Sequence, residues 1–355
     1  MHYPRFWSED WGGCLISQRY SKLVMVFFAL GLLVAGAFST GWRYLNTPLN
    51  IPSEGFVFTI PPGAPLAQVT SALFGEGVLQ KPAWLRAYAR IQGTATRIQA
   101  GEYQISIDAT PRTLLMQFVA GQVRLHQFTM IEGQRFEEAL ENLRAHPAIV
   151  ASELSKQNIM AEIGKPNLHW EGQFLPDTYS FPKGTSDLKI LLLAHQALEK
   201  RLGSMWQDRM PGLILKNAYE ALTLASIIEK ETARASERVR IAGVFHRRLE
   251  QGMLLQSDPT VIYGIGAIFD GNLRRTDLNR DTPHNTYTRA GLPPTPIALV
   301  GEAALAAALN PSSSAELYFV ATGFPDGSHR FSVTLEEHDQ AISEYLKELD
   351  AKTGP

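Results

Sequence analysis

The longest apolar segment lies near the N-terminus, where no charged residue occurs from Leu23 to Trp42. A helix of that length crosses a bilayer whose hydrocarbon core is about 30 Å thick. The segment is apolar around its whole circumference, which favours a membrane span over a buried helix of a soluble protein. We therefore predict a tail over residues 1–22 and a single transmembrane helix over 23–42.

The charges beside this segment predict its orientation. Arg19 and Lys22 directly precede it, whereas Arg43 alone follows closely. Because basic residues concentrate on the cytoplasmic side, the N-terminal tail is predicted to be cytoplasmic and the rest of the chain extracytoplasmic. The alternative is a cleaved signal peptide, since Ala35-Gly36-Ala37 fits the small-x-small cleavage pattern. Both interpretations predict export of the remaining chain.

Beyond the apolar segment, short strand and helix patterns alternate. Residues 43–55 contain two prolines and one glycine with little periodicity, and we predict a linker there. Phe56–Ile60 and residues 100–105 have the pattern of half-buried strands, with helical spacing between them. The predicted fold class is therefore α+β, with a small α+β domain over 56–125 and a larger α+β domain over 126–350.

One carboxylate of the second domain is predicted to point inward. The helix predicted over 217–232 carries apolar residues at i, i+3 and i+4, and Glu231 takes the next position on that stripe. At about 100° per residue, Glu229 projects to nearly the opposite side and is predicted to be solvated. Burial raises the pKa of a carboxyl, which keeps a glutamic acid protonated for general-acid catalysis. The alternative is an ion pair between Glu231 and a nearby arginine: Arg234, Arg238 or Arg240.

The following helix is predicted to run from Ser236, as N-cap, to about Glu250, just before Gly252. Apolar residues form its inner face. We interpret its arginines as a solvated surface rather than a ligand clamp: Arg238, Arg240, Arg247 and Arg248.

Composition argues against several classes of site and partner. The 33 basic and 35 acidic residues give a net charge of -2, without the basic surplus typical of nucleic-acid-binding proteins. Cys14 is the only cysteine, so neither an intramolecular disulfide nor a cysteine-based zinc site can form. The nine histidines show no metal-ligand spacing. We predict no nucleic-acid partner, no metal and no cofactor.

Five polar and aromatic strings resemble the endolytic murein transglycosylase family, the YceG-like proteins. The resemblance extends from the membrane helix to the C-terminus, with the strings in the family's order. They are Glu171-Gly172-Gln173-Phe174-Leu175-Pro176-Asp177-Thr178-Tyr179, Ala225-Ser226-Ile227-Ile228-Glu229-Lys230-Glu231-Thr232, Gln256-Ser257-Asp258-Pro259-Thr260-Val261-Ile262-Tyr263-Gly264, Asn285-Thr286-Tyr287 and Gly291-Leu292-Pro293-Pro294.

The resemblance implies a single-pass protein of the bacterial inner membrane, with a LysM-like first domain and a periplasmic catalytic domain. Such an enzyme is a lytic transglycosylase that cuts the MurNAc–GlcNAc bond of nascent glycan strands and terminates their elongation. It leaves 1,6-anhydromuramic acid ends and has peptidoglycan synthases as partners. The family's catalytic glutamate corresponds to Glu231. Ser257 departs from the family, which often has threonine there.

Candidate substrate-binding residues come from the same strings. They are Asp177, Tyr179, Gln256, Asp258, Tyr263, Asn285 and Tyr287. The two aspartates could instead order turns, and Tyr263 and Tyr287 could be core residues. His329 is interpreted as a surface residue. Two alternative functions stay open: a muramidase with Asp177 or Asp258 as its second carboxylate, and a peptidoglycan-binding scaffold without cleavage.

Overall fold

A computed structural model describes the backbone of residues 13–353 and the side chains of residues 23–349. Residues 1–12 of the predicted cytoplasmic tail lie outside the described residues. The chain divides into two compact units, Met1–Leu125 and His126–Pro355. Both units contain helices and strands, which confirms the α+β prediction.

The first helix, α1, spans Gly13–Leu45. Within the described part of the chain, Leu23–Leu45 is the one helix long and apolar enough to cross a membrane. Its large apolar side chains are exposed, from Leu23 to Trp42. The apolar N-terminal helix predicted from the sequence is thus present.

The rest of the first unit packs three helices on a two-stranded antiparallel sheet, with Phe58 opposite Tyr103. Its core includes Leu73 and Phe118. Leu45 and Leu49, from the segment predicted as a linker, also contribute to this core. The likeness to LysM domains stays a prediction. The elements are β1 (Phe56–Ile60), α2 (Leu66–Gly75), α3 (Pro82–Ile91), β2 (Gly101–Ile105) and α4 (Pro111–Ala120).

The second unit is mainly helical and has two apolar cores. One lies around Phe136 and Phe174, and the other around Ile227 and Phe245. Its first elements are β3 (Leu125–Thr129), α5 (Phe136–Arg144), β4 (Ile149–Val150), α6 (Lys156–Glu162), β5 (Thr178–Pro182), β6 (Thr185–Ser186) and α7 (Asp187–Gln207). Then follow α8 (Ala218–Glu231), α9 (Arg238–Glu250), α10 (Asp258–Ile265), α11 (Arg275–Leu278), α12 (Glu302–Leu309), β7 (Tyr318–Ala321), β8 (His329–Ser332) and α13 (Leu335–Thr353).

The strands of the second unit form three separate pairs. β3 pairs with β5, and β4 runs parallel to β6. β7 and β8 form an antiparallel hairpin in which Ala321 lies opposite His329. This hairpin becomes one wall of the candidate site.

The start of α9 differs from its prediction. The N-cap is Glu237 rather than Ser236, because a turn closed by the Glu237 N–H and the Arg234 carbonyl includes Ser236. The first helical hydrogen bond then runs from the Ile241 N–H to the Glu237 carbonyl, 2.9 Å. The end of α9 is as predicted, since Gly252 adopts a positive φ of 66° directly after the C-cap Gln251.

Candidate active site

Helix α8 is the central element of the second unit. Its bounds lie within one residue of those predicted, and its N-cap is Asn217, whose side chain accepts the Glu220 N–H. Every residue from Ala221 to Ile228 is buried, because α7, α9, α10 and α12 pack around the helix. Over residues 221–228 the helix therefore has no solvated face, and α9 and the start of α12 also contact Glu229.

The prediction that Glu229 is solvated is therefore wrong. Its side chain is 5% exposed and pairs with Arg238 at 3.1 Å. Its other oxygen accepts the Gly301 N–H at 3.0 Å, at the start of α12. Burial raises the pKa of Glu229, while this N–H and the Arg238 charge oppose the rise. Glu229 ties α8 to α9 and α12.

Glu231 is the last residue of α8 and is half-buried as a residue, at the edge of the packed core. The Ser257 hydroxyl donates a 2.5 Å hydrogen bond to Glu231 Oε1. Burial raises the pKa of Glu231 to about 7, and the nearby Asp258 charge adds to the rise. The Ser257 hydrogen bond and the Arg248 charge act in the opposite direction. The structure thus provides the elevated pKa that the helical position predicts.

The three arginines considered as partners of Glu231 pair elsewhere. Arg238 binds Glu229, Arg240 binds Glu316 at 2.7 Å, and Arg234 binds Asp326 at 2.8 Å. Glu231 at the end of α8 is therefore not held by any of these three.

Arg248 is the cation that acts on Glu231, and it is only 6% exposed. Its guanidinium donates to the carbonyls of Leu317 (2.7 Å) and Leu255 (2.9 Å) and to Gln256 Oε1 (3.3 Å). Arg247 likewise donates to the backbone of residues 312–316. The interpretation of these two arginines as a solvated surface is wrong, because the segment before β7 folds over them.

Helix α10 carries Ser257 and Asp258 at its start, and residues 285–287 hold that start in place. Thr286 Oγ1 accepts the Ser257 N–H at 3.0 Å. The Tyr287 hydroxyl donates to Asp258 Oδ1 at 2.6 Å. Asn285 is fully buried. Its amide nitrogen donates to the carbonyls of Leu278 and Arg280, and its side-chain oxygen accepts the Tyr287 N–H. Asn285 therefore shapes the loop that positions α10.

Gln256 has a φ of 54°, the one positive value among the described residues other than glycine. Its N–H donates to the Thr286 carbonyl at 3.1 Å, and its side-chain oxygen accepts from Arg248. Such left-handed backbone costs on the order of 1 kcal/mol or more for a residue with a Cβ and persists where neighbours impose it. The strained residue directly precedes Ser257.

Glu231 borders two clefts. The first, called here the hairpin cleft, has a volume of about 420 Å³. The second, called here the Gly133 cleft, has a volume of about 640 Å³ and is lined by residues 131–134, residues 229–233 and Arg238. The polar lining of the hairpin cleft consists mainly of Glu231, Arg248, Gln256, Asp258, Tyr287, His329 and His338.

The structure thus brings Gln256, Asp258 and Tyr287 into one cleft with Glu231. Asp177 and Tyr179 are not in either cleft: Asp177 is exposed and accepts the Thr178 N–H, and the Tyr179 hydroxyl donates to the Leu175 carbonyl at 2.7 Å.

Tyr263 lines a separate cleft with Arg135, whose guanidinium lies 5.2 Å from the Tyr263 ring centre. Its hydroxyl bonds the buried carboxyl of Glu171. Burial raises the pKa of Glu171 to about 7, although the Phe136 N–H at 2.9 Å opposes the rise. An elevated pKa is therefore not unique to Glu231, whereas its place at the border of both clefts distinguishes it.

Two residues of the hairpin cleft were not predicted from the sequence to belong to the site. Arg248 looked like one of several surface arginines, and His329 looked like a surface histidine. The His329 side chain is 13% exposed and pairs with Glu237. Neither residue lies near Glu231 in sequence, so no local pattern connects them.

Comparison with known proteins assigns the chain to a family. The sequence profile of the YceG-like family matches residues 58–344. The chain belongs to the YceG-like family. This confirms the resemblance found in the sequence.

Named relatives cover most of this YceG-like chain. An endolytic murein transglycosylase of Bacillus subtilis is 29% identical over 344 residues, covering 90% of this chain and 93% of that protein. An endolytic murein transglycosylase of Streptococcus pneumoniae is 26% identical over 356 residues, covering 89% of this chain and 64% of that protein. The crystal structure of a yceG-like protein from Listeria monocytogenes is 28% identical, with a TM-score of 0.51, covering 81% of this chain and 99% of that one.

Ser257, where the resemblance leads us to expect threonine in other members of the family, lies in the candidate site of this YceG-like chain. The Ser257 hydroxyl is the group that binds Glu231. Serine and threonine both supply that hydroxyl, so the departure keeps the hydrogen bond.

Proposed function

We propose that this chain is an endolytic murein transglycosylase with Glu231 as its single catalytic acid. The observation that carries the proposal is the Glu231 carboxyl, with a pKa raised to about 7, at the border of two clefts. A general acid works best when its pKa lies near the working pH. The names of the relatives supply the substrate class, the peptidoglycan glycan strand.

The hydrogen bond from Ser257 defines which oxygen delivers the proton. Because Glu231 Oε1 accepts from Ser257, the acidic proton is placed on Oε2. That proton passes to the oxygen that links muramic acid to the next sugar, and the glycosidic bond breaks. Glu231 then takes the proton of the muramic acid 6-hydroxyl, whose oxygen attacks the anomeric carbon and closes a 1,6-anhydro ring. The carboxyl ends protonated as it began, and no water is consumed.

One carboxylate suffices because the attacking hydroxyl belongs to the substrate. Intramolecular attack gains from proximity, so the protein must orient the sugar and exclude water. Gln256 and Tyr287 are the proposed sugar contacts beside Glu231, since both line the hairpin cleft. The other candidates have structural contacts instead, as described for Asn285 and Tyr179.

The two clefts support cleavage within a strand rather than at its end. Glu231 belongs to the lining of both. A polysaccharide that occupies both clefts passes the carboxyl with sugars on each side of it. This arrangement fits an endolytic enzyme.

A hydrolytic muramidase is the competing reaction, because Asp258 lines the hairpin cleft with Glu231. A second carboxylate could activate water. However, Asp258 Oδ1 already accepts the Tyr287 hydroxyl. Asp177, the other candidate, does not line this cleft.

The reaction product tests the proposal. Purified glycan strands digested by the full chain are expected to end in 1,6-anhydromuramic acid, because the sugar supplies the attacking oxygen. Mass measurement of products formed in heavy-oxygen water checks this. Heavy oxygen at the new ends would establish hydrolysis, and intact strands would favour a binding scaffold.

We further propose that the chain is anchored in the inner membrane with its catalytic unit in the periplasm. The uncharged segment from Leu23 and the basic residues Arg19 and Lys22 before it support this orientation. Peptidoglycan synthases are the proposed partners, on the basis of the family resemblance alone.

A reporter fusion tests the orientation. Alkaline phosphatase fused to the C-terminus is expected to be active, because it folds to its active form only after export. A silent phosphatase together with an active cytoplasmic reporter at the same position would reverse the orientation. A mature N-terminus just after Ala37 would identify a cleaved signal peptide.

A further inference from the structure

His329 and Glu237 form a carboxylate–imidazole pair in the wall of the hairpin cleft. His329 Nδ1 lies 2.7 Å from Glu237 Oε2. The backbone N–H of His329 also donates to Glu237 Oε1 at 3.1 Å. One carboxylate therefore holds both the backbone and the ring of one histidine.

Both residues have fixed places in the fold. Glu237 is 8% exposed at the N-cap of α9, six residues beyond Glu231. His329 begins β8, opposite Ala321, and its ring packs edge-on against Phe319 at 5.6 Å. Ala321 and Phe319 line the same cleft as Glu231. The pair thus connects the segment that follows Glu231 to the opposite wall.

The carboxylate determines which ring nitrogen carries the proton. A carboxylate only accepts hydrogen bonds, so His329 Nδ1 must be the protonated nitrogen. In the neutral ring, Nε2 is then the acceptor. Among the described residues, no side chain or backbone group bonds Nε2. A polar atom of the cleft wall is therefore oriented but unused by the protein.

We propose that His329 is a substrate-binding residue and that its Nε2 accepts a hydrogen bond from a sugar hydroxyl or acetamido N–H in the hairpin cleft. Glu237 is the positioning residue that keeps Nε2 in the acceptor form. The ligand class is an N-acetylated hexosamine strand. This inference rests on the proposed function, since it assigns a further contact to the same substrate.

Binding without turnover tests the role of His329. The parent is the full chain in detergent micelles with Glu231→Gln, and the probe is peptide-free glycan strand. Adding His329→Phe, which keeps a ring beside Phe319 but has no acceptor, is expected to weaken binding about 5- to 10-fold, the effect of one lost hydrogen bond. Arg330→Gln is the matched control, because Arg330 is the next residue on β8, is exposed and pairs with Glu344. The control is expected to keep the parent's Kd.

Glu237→Gln separates binding from structure. The backbone N–H of His329 can only donate, so the single amide oxygen faces it and the amide NH₂ faces Nδ1. The ring proton then moves to Nε2, which nitrogen chemical shifts of the His329 ring detect. Binding is expected to weaken as in His329→Phe, because the acceptor has become a donor. A His329 ring that carries its proton on Nε2 while the Kd stays unchanged would overturn the proposal.

The remaining outcomes are distinct. Equal affinity of the parent and the folded His329→Phe variant would refute the role of His329 and leave the proposed function standing. Lower melting temperatures with unchanged Kd for both variants would assign the pair a purely structural role. If the Glu231→Gln parent itself fails to bind strands, the proposed function is wrong, and the inference fails with it.

Discussion

Glu231→Gln is expected to lower strand cleavage by at least about 10²- to 10⁴-fold, the usual contribution of a general acid. Glutamine keeps the shape of the side chain and an oxygen to accept from Ser257, but it has no proton to deliver. Initial rates of anhydro-end formation from purified strands measure the effect. Near-normal cleavage by a folded Glu231→Gln protein would remove Glu231 from the mechanism.

Thermal unfolding of the same variant provides a second measurement. The folded-state pKa of Glu231, about 7, exceeds its ordinary value of 4.5. Between these values the folded protein binds more protons than the unfolded chain, so this group lowers the free energy of unfolding as pH rises. Glu231→Gln removes that loss. The variant is expected to be more stable than the parent above pH 7, and the difference should vanish near pH 4.5.

Glu171→Gln is the matched control that separates the position of Glu231 at the clefts from its raised pKa. Glu171 has the same elevated pKa, about 7, but lines neither cleft that Glu231 borders. The substitution is expected to lower the melting temperature, because Glu171 binds the Phe136 N–H and the Tyr263 hydroxyl. Most of the cleavage activity per folded molecule should remain. A loss equal to that of Glu231→Gln would show that the position at the clefts does not single out Glu231.

Arg248→Met is expected to destabilise the second unit by roughly 3 kcal/mol or more, because several buried acceptors lose their charged donor. It should also shift the pH dependence of cleavage. The Arg248 charge lowers the pKa of Glu231, so its removal raises that pKa. Since the reaction needs protonated Glu231, the fall in activity on the alkaline side should move to higher pH. Denaturant unfolding and a pH–rate profile check the two parts.

Arg248→Lys separates charge from hydrogen bonding. Lysine keeps the positive charge but lacks the planar fork that reaches Leu317, Leu255 and Gln256 together. Stability should fall while the alkaline limb stays near its original pH. Identical pH profiles for the parent, Arg248→Met and Arg248→Lys would contradict the electrostatic role.

Local sequence patterns predicted the features that depend on local geometry. Helix α8 matches its predicted bounds to within one residue at each end, and the position of Glu231 on the apolar stripe anticipated its raised pKa. The apolar N-terminal helix follows from composition alone. These features need no knowledge of what packs against them.

The predictions that proved wrong concern side chains whose burial depends on other segments of the chain. Helical periodicity placed Glu229 opposite the apolar stripe, and we predicted that this side is solvated. In the structure Arg238 and Gly301 cover it. Arg248 is buried by residues 312–317, about 70 positions away. His329 reaches the cleft because its hairpin folds back toward Glu237. Periodicity reports the direction of a side chain and leaves its surroundings open.

The placement of Glu231 directly after the buried residues 221–228 of α8 has a kinetic consequence. Because residues 221–228 of α8 are all buried, their amides are expected to exchange only when the second unit unfolds as a whole. The Glu231 carboxyl follows directly on this segment and binds Ser257, so it is expected to need little ordering when a strand binds. The conformational entropy lost on association falls instead on the sugar chain and on exposed cleft residues such as Gln256 and Asp258. Differences in turnover between short and long strands should then reflect how readily the polymer bends toward an immobile acid.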